Sequence, residues 1–278
     1  MVAMTLPTGA RIALGIEYDG RNFCGWQTQP SHCALQNHLE RALAEVHGAP
    51  LKTVTAGRTD AGVHAVAQVV HFDTLHHRPA HAWVFGVNAR LPTGMSVLWA
   101  KAMPADFHAR FGAVERTYRY VLLNQPTRPA LLAGRVGWIH GELDAGLMQR
   151  AAINLIGEQD FSAFRAAECQ AASPVRDLRA VTIWRQGACV QFEFRANAFL
   201  HHQVRNMVGA LVWVGLRRQP PEWIGEVLQS RDRAKAAATF AADGLYLAAV
   251  RYDARFDLPE RSDLGPLAYF PPPPATSP

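Results

Sequence analysis

Lysine is almost missing from these 278 residues, occurring only at positions 52, 101 and 235, so the positive charge is carried nearly entirely by arginine. Net charge is +5 and the isoelectric point is near 9.3. Arginine pairs bidentately with phosphates and stacks on bases, which makes an RNA partner a reasonable expectation. A GC-rich genome, which also favours Arg and Ala, would explain the same bias without one. Cysteine is scarce as well, at 24, 33, 169 and 189 with no CxxC spacing. Neither a zinc knuckle nor a disulfide framework is indicated, and the thiols are expected to be reduced. No apolar run approaches the ~20 residues that span a bilayer, and the N-terminal MVAMTLPTGAR lacks a basic start and an apolar core. That argues against secretion and for a cytoplasmic protein. A GxxxxGK[ST] phosphate loop, a GxGxxG at the first strand and turn, and a GxSxG elbow are all lacking, which leaves nucleotide hydrolysis and serine-esterase chemistry unsupported. Twelve histidines bring no metal-ligand spacing. His201 and His202 are adjacent and would diverge on a helix, and Pro79 lies between His77 and His81, so no metal is expected.

What the chain does have is AGRTDAGVHA, Ala56 to Ala65. Here Arg58, Thr59 and Asp60 sit between Gly57 and Gly62, on backbone able to take tight, positive-φ geometry. Apolar stretches, Thr53 to Ala56 and Val66 to Phe72, place this cluster between two strands. Alone, it reads as a surface turn with an Arg/Asp ion pair. An arginine beside Asp60 would equally keep a carboxylate ionised and available as a nucleophile.

Around this stretch the pattern is α+β. RIALGIEY (11–18) with Asp19-Gly20 gives a strand and turn. RNFCGWQTQP mixes Phe23 and Trp26 with amide side chains, either to stack on a base or to anchor the loop to the core. Ser31 as N-cap opens a helix to His47, with Leu35, Leu39, Ala42, Leu43 and Val46 at helical spacing and Gly48 as the stop. A helix over 79–90 and a strand over 95–103 complete a first domain, 1–105, with helices on one face of a mainly antiparallel sheet. The loop PADFHARFGAVE, with His108, Arg110 and Phe111, leads into a strand placing Arg116, Tyr118 and Tyr120 on one face, an unusual set for a core. The second domain, 106–256, holds a helix over 143–156, a hairpin about Gln186-Gly187, and a helix over 199–216 with His201 and Arg205 four apart on one flank. A shorter helix over 221–229 and a strand over 245–252 follow. The tail, 257–278, is proline-rich and expected to be disordered.

Six separated segments then occur in one order: YDGRNFCGWQTQP, GRTDAGVHA, FHARF with RTYRY, DFSAFRAAECQAASPVRDL, FRANAFLHHQVRNMVG and DGLYL. Over roughly residues 11 to 252 this set resembles the tRNA pseudouridine synthases of the TruA type. The resemblance implies two fused ferredoxin-like halves whose mainly antiparallel sheets meet at a central cleft. It implies isomerisation of uridine to pseudouridine at positions 38, 39 and 40 of the tRNA anticodon stem-loop, by a homodimer, without cofactor or metal. By the same resemblance Asp60 is the nucleophile, Tyr118 stacks on the flipped base and takes part in proton transfer, and Arg205 pairs with Asp60. Arg58 helps hold the flipped state and Leu245 packs on the base. Departures from the family pattern, Ala34-Leu35, Gln203 and Ala241-Ala242, touch none of these. Attack at C1′, attack at uracil C6 and removal of a sugar proton all stay open for Asp60. So do two other classes: a tRNA-binding module without activity, and a carboxylate hydrolase acting on a nucleoside.

Overall fold

In the computed structural model, which describes residues 9–76 and 78–259, contacts divide the chain into two compact units. One runs to Val114 and is rejoined by the stretch from Val250; the other is Glu115–Ala249. Both are mixed α/β structures with mostly antiparallel pairing.

The first unit runs through β1 (Ala10–Tyr18), α1 (Leu35–His47), β2 (Val54–Thr55), β3 (His64–Thr74), α2 (Ala80–Asn88) and β4 (Met95–Met103), in the order the periodicity predicts. β1 lies between β3 and β4, antiparallel to both, and β2 pairs with β3. Ala13, Leu14 and Ile16 of β1 are completely buried, since a central strand is covered on both faces. On one face Phe72 of β3 meets Trp83 of α2 at 5.1 Å between ring centres. Trp83 is fully enclosed. On the other, Ala13, Val69 and Met103 pack with Phe107, Ala109 and Phe256.

That second face also ties down the loop after β4. Arg11 Nη1 donates to the carbonyls of Ala105 and Phe107, both at 2.7 Å, and Ala109 N donates to His71 Nδ1 at 3.1 Å. Burial, followed by the neighbouring Arg11 and His108, pushes the His71 imidazole down to about 4 from its ordinary 6.5. The unfolded chain therefore takes up a proton in this range that the folded chain refuses. Stability from this group should be complete above pH 6.5 and fall as the pH drops towards 4. Thermal melts across that range should fall more steeply for the parent than for His71→Asn, which keeps an acceptor but cannot titrate. Equal slopes would contradict the assignment.

Two expectations for this unit are corrected. Cys24 and Cys33 are joined in a disulfide, with Cα atoms 5.5 Å apart, whereas Cys169 and Cys189 are free thiols. A separation of nine residues carries no pairing signal; the loop brings the two together by folding back, with Cys24 N bonded to Cys33 O at 3.2 Å. That fold also explains why α1 starts at Leu35 rather than behind Ser31. The first-turn N–H groups of Leu35 and Gln36 donate to the carbonyls of Gly25 and Trp26, so loop backbone does the work of a side-chain cap. Gly48, in the left-handed region at φ +91°, ends the helix as expected.

The second unit contains β5 (Ala113–Asn124), β6 (Gly137–Ile139), α3 (Ala145–Ala152), β7 (Gly157–Asp160), β8 (Val175–Gln186), β9 (Cys189–Ala196), α4 (Gln203–Gly215), α5 (Trp223–Ser230) and β10 (Leu245–Tyr252). The first residues of β5 and the last of β10 belong to the first unit. β5, β9, β8 and β7 pair antiparallel in that spatial order, with β6 parallel to β5. The β8–β9 hairpin turns at Gly187, where predicted. α4 is buried nearly all round, as a helix with Val204, Met207, Val208, Leu211, Val212 and Val214 must be.

The β5 face bearing Arg116, Tyr118 and Tyr120 is buried, with Arg116 and Tyr120 hydrogen-bonded there. Arg116 donates to Asn197 O at 2.6 Å and the Tyr120 hydroxyl to Ala241 O at 3.0 Å. On the opposite face Arg119, also buried, pairs with Glu193 at 2.7 Å. α4 begins later than predicted: His202 takes φ +61°, and Gln203 Oε1 accepts from Leu200 N at 2.8 Å. His201 therefore precedes the helix and does not share a flank with Arg205; its ring lies 4.0 Å from that of His202. The expected disordered tail lies, from residue 260, outside the described residues, as does His77.

Candidate active site

Between β2 and β3 the chain makes the loop that carries Arg58, Thr59 and Asp60. Val63 N donates to Asp60 O at 3.1 Å and Gly62 takes φ +80°, so the backbone turns sharply immediately after the carboxylate. Asp60 is half-buried, Arg58 exposed and Thr59 buried.

Thr59 is the point by which the loop is held. Its hydroxyl lies 2.8 Å from that of Tyr18 at the end of β1. The amide of Gln68, on β3, donates both to the Tyr18 oxygen at 3.2 Å and to Gly57 O at 2.7 Å. Tyr18 therefore accepts from Gln68 and has its own proton to give to Thr59. Burial, only partly offset by these bonds, pushes the Tyr18 phenol well above its ordinary range, which keeps it a neutral clamp. From the other side Trp26 N donates to Thr59 O at 2.9 Å. Trp26 and Phe23 are buried, so the aromatics of RNFCGWQTQP anchor the loop and do not offer faces for stacking. A second support lies at the first turn, where Gly20 N donates to His64 Nδ1 at 3.1 Å. That nitrogen is thus an acceptor, so the approach of Asp19 Oδ1 to it at 3.4 Å is not an ion pair. Burial would raise the Asp19 carboxyl, but the hydrogen bonds from Arg21 outweigh it and hold the group down at about 2.

The remaining candidates are in the second unit. Tyr118, on β5 opposite Phe194 of β9, is buried with its ring edge-on to Phe199 at 5.1 Å. Arg205 lies in the first turn of α4, where its Nε donates to Phe240 O at 2.9 Å. Phe240 N returns a bond to Arg205 O at 3.3 Å. The strap carrying Phe240 is fixed in turn by Arg233, which donates to Ala237 O at 2.8 Å and Asn206 Oδ1 at 3.1 Å. Leu245, buried, opens β10 after Leu245 N closes a turn onto Ala242 O at 2.8 Å.

The first unit thus holds a half-buried carboxylate on a clamped turn and the second a buried tyrosine and a tethered arginine, groups that several enzyme classes use. The sequence comparison decides among them. The profile of a family described as tRNA pseudouridine synthase matches residues 15–112 and 151–253. The chain belongs to this family. It is 57% identical over 258 residues to the tRNA pseudouridine synthase A of Thiobacillus denitrificans, covering 93% of this chain and 99% of that one. It is equally 57% identical over 249 residues to the protein of the same name from Paraburkholderia phytofirmans, covering 90% and 92%. Among solved structures, a Cbf5-Nop10-Gar1 complex aligns with 84% of this chain and 47% of the other at 14% identity, with a TM-score of 0.35, too low to bear on the argument. As a tRNA pseudouridine synthase the chain is an isomerase that converts uridine in tRNA to pseudouridine. Among the described residues no helix is long and apolar enough to cross a membrane.

Sequence reasoning missed the supports of this synthase's site residues: Tyr18, His64 and Gln68 about the Asp60 loop, and Arg233 on the strap that tethers Arg205. A signal existed for Gln68, which interrupts the apolar run from Val66 to Val70, since buried polar groups are kept when bonded.

Proposed function

We propose that the enzyme isomerises uridines at positions 38, 39 and 40 of the tRNA anticodon stem-loop, with Asp60 as its nucleophile. The observation that carries this reading is the clamped turn itself. Thr59 is held through its side chain and its carbonyl, which fixes the backbone from which the Asp60 side chain extends. A nucleophile must be held close to its reacting geometry for its attack to become effectively intramolecular.

The target base is stacked and paired, so it is flipped out at a cost of about a few kcal/mol. The N1–C1′ bond breaks, the uracil rotates, C5 bonds to C1′, the proton on C5 leaves to solvent, and N1 takes up a proton in its place. Nothing is gained or lost overall, which is why the reaction needs neither oxidant nor cofactor. Arg58, exposed on the loop, suits a role in holding the flipped state. Tyr118 would stack on the base and take part in proton transfer, with Leu245 packing beside it. Arg205 would supply the basic partner of Asp60. The enzyme acts as a cytoplasmic homodimer in this reading, and light scattering that finds only monomer would remove the dimer from it.

The test is tritium release from tRNA transcripts labelled at uridine C5. Release with the parent and none with Asp60→Ala supports the proposal; equal release from both would displace Asp60.

A further inference from the structure

We infer that Phe111 is a stacking platform for an unpaired base of the bound tRNA, in the loop between β4 and β5. The inference rests on the tRNA substrate of the family but not on the assignment of Asp60.

Isolated exposed apolar side chains are ordinary. Phe111 differs in how it is held. Its ring is 77% exposed, yet the loop around it is fixed at almost every residue. Ala105 and Phe107 are bound through their carbonyls by Arg11. Ala109 is bound through its N–H by His71 and through its carbonyl by the Tyr252 hydroxyl at 2.7 Å. His108 Nδ1 accepts from the N–H groups of both Arg110 and Phe111, at 3.2 and 3.1 Å, and His108 O accepts from Gly112 N at 2.8 Å. Fully buried Phe107 roots the segment against Tyr252 and Phe256. An aromatic ring that projects into water from so fixed a loop contributes little to folding but loses little entropy on binding.

Its neighbours define what it fits. The His108 ring lies 4.5 Å away, tilted by 31°, and the exposed Arg110 guanidinium is 5.4 Å from the ring centre. Aromatic surface beside a guanidinium is the combination that receives a nucleobase with its phosphate. The ring stacks on the base whatever its identity, and the cation lies towards the backbone. A purely apolar protein partner would have no use for the arginine.

The test uses the full-length protein with Phe111→Ala, Phe111→Leu and Phe111→Trp, each checked by thermal melting, against a tRNA transcript. Kd is read by filter binding, kcat and KM by turnover, and oligomeric state by light scattering. Stacking predicts that Ala and Leu raise Kd and KM roughly 5- to 100-fold while kcat changes little, and that Trp restores parental affinity. Unchanged Kd in Phe111→Ala, or full affinity in Phe111→Leu, would overturn the inference. So would loss of the oligomer in Phe111→Ala, which would make the ring a contact with a second copy. Because Kd is measured without turnover, a parent that binds tRNA but leaves uridine unchanged would count against the Asp60 reading and not against this one.

Discussion

Asp60→Asn should bind tRNA within about threefold of the parent and lose on the order of 10⁴-fold or more in single-turnover rate, the scale on which removal of a reacting group is felt. The asparagine has the same shape, and three bonds that hold the loop run through atoms other than the carboxylate. Tyr18 meets the Thr59 hydroxyl, Trp26 meets the Thr59 carbonyl, and Val63 meets the Asp60 carbonyl. A loss of 10⁴ corresponds to ~5.5 kcal/mol of transition-state stabilisation, far more than a surface ion pair supplies. Turnover within tenfold of the parent would place the chemistry elsewhere; a matching loss of tRNA affinity would make Asp60 a binding residue.

Gly25→Ala should cut kcat about 100-fold, the penalty for misplacing a reacting group by about an ångström. Gly25 takes φ +90°, and a methyl there would stand 2.9 Å from Thr59 O and 3.1 Å from Asp60 C and Ala61 N. Those are backbone atoms of the working loop, so the loop itself must shift. The left-handed backbone adds ~1–2 kcal/mol of strain, which would lower the melting temperature as well. Gly48→Ala separates the two effects: its φ is +91°, but a methyl there meets nothing within 4 Å. Gly48→Ala should therefore lose stability and keep kcat, whereas Gly25→Ala should lose both. Equal kcat in the two variants would mean that the contact with Thr59 does not position Asp60.

The contrast between those glycines shows what could be read from sequence. Gly48 was legible as a helix stop because the apolar spacing of Leu35, Leu39 and Leu43 ends before it. Gly25 was not, because its role depends on a chain segment more than thirty residues away. The same division holds elsewhere. β1, α2, β4 and the β8–β9 hairpin follow from local periodicity and turn chemistry, and the Gly-flanked loop of Asp60 from its composition. The Cys24–Cys33 disulfide, the carbonyl cap of α1 and the Tyr18–Thr59–Gln68 clamp are long-range pairings, to which spacing along the chain is blind. His201 was misplaced for a different reason. The apolar stripe of α4 extrapolates smoothly upstream, and only the left-handed backbone at His202 interrupts it.

The most direct measurement of the central claim is position-resolved. A tRNA transcript with uridines at 38, 39 and 40 is incubated with the enzyme, treated with a carbodiimide that marks pseudouridine, and read by reverse transcription. The account predicts stops at those positions with the parent and at none of them with Asp60→Asn. Stops confined to other parts of the tRNA, or stops that persist at 38 to 40 with Asp60→Asn, would contradict it.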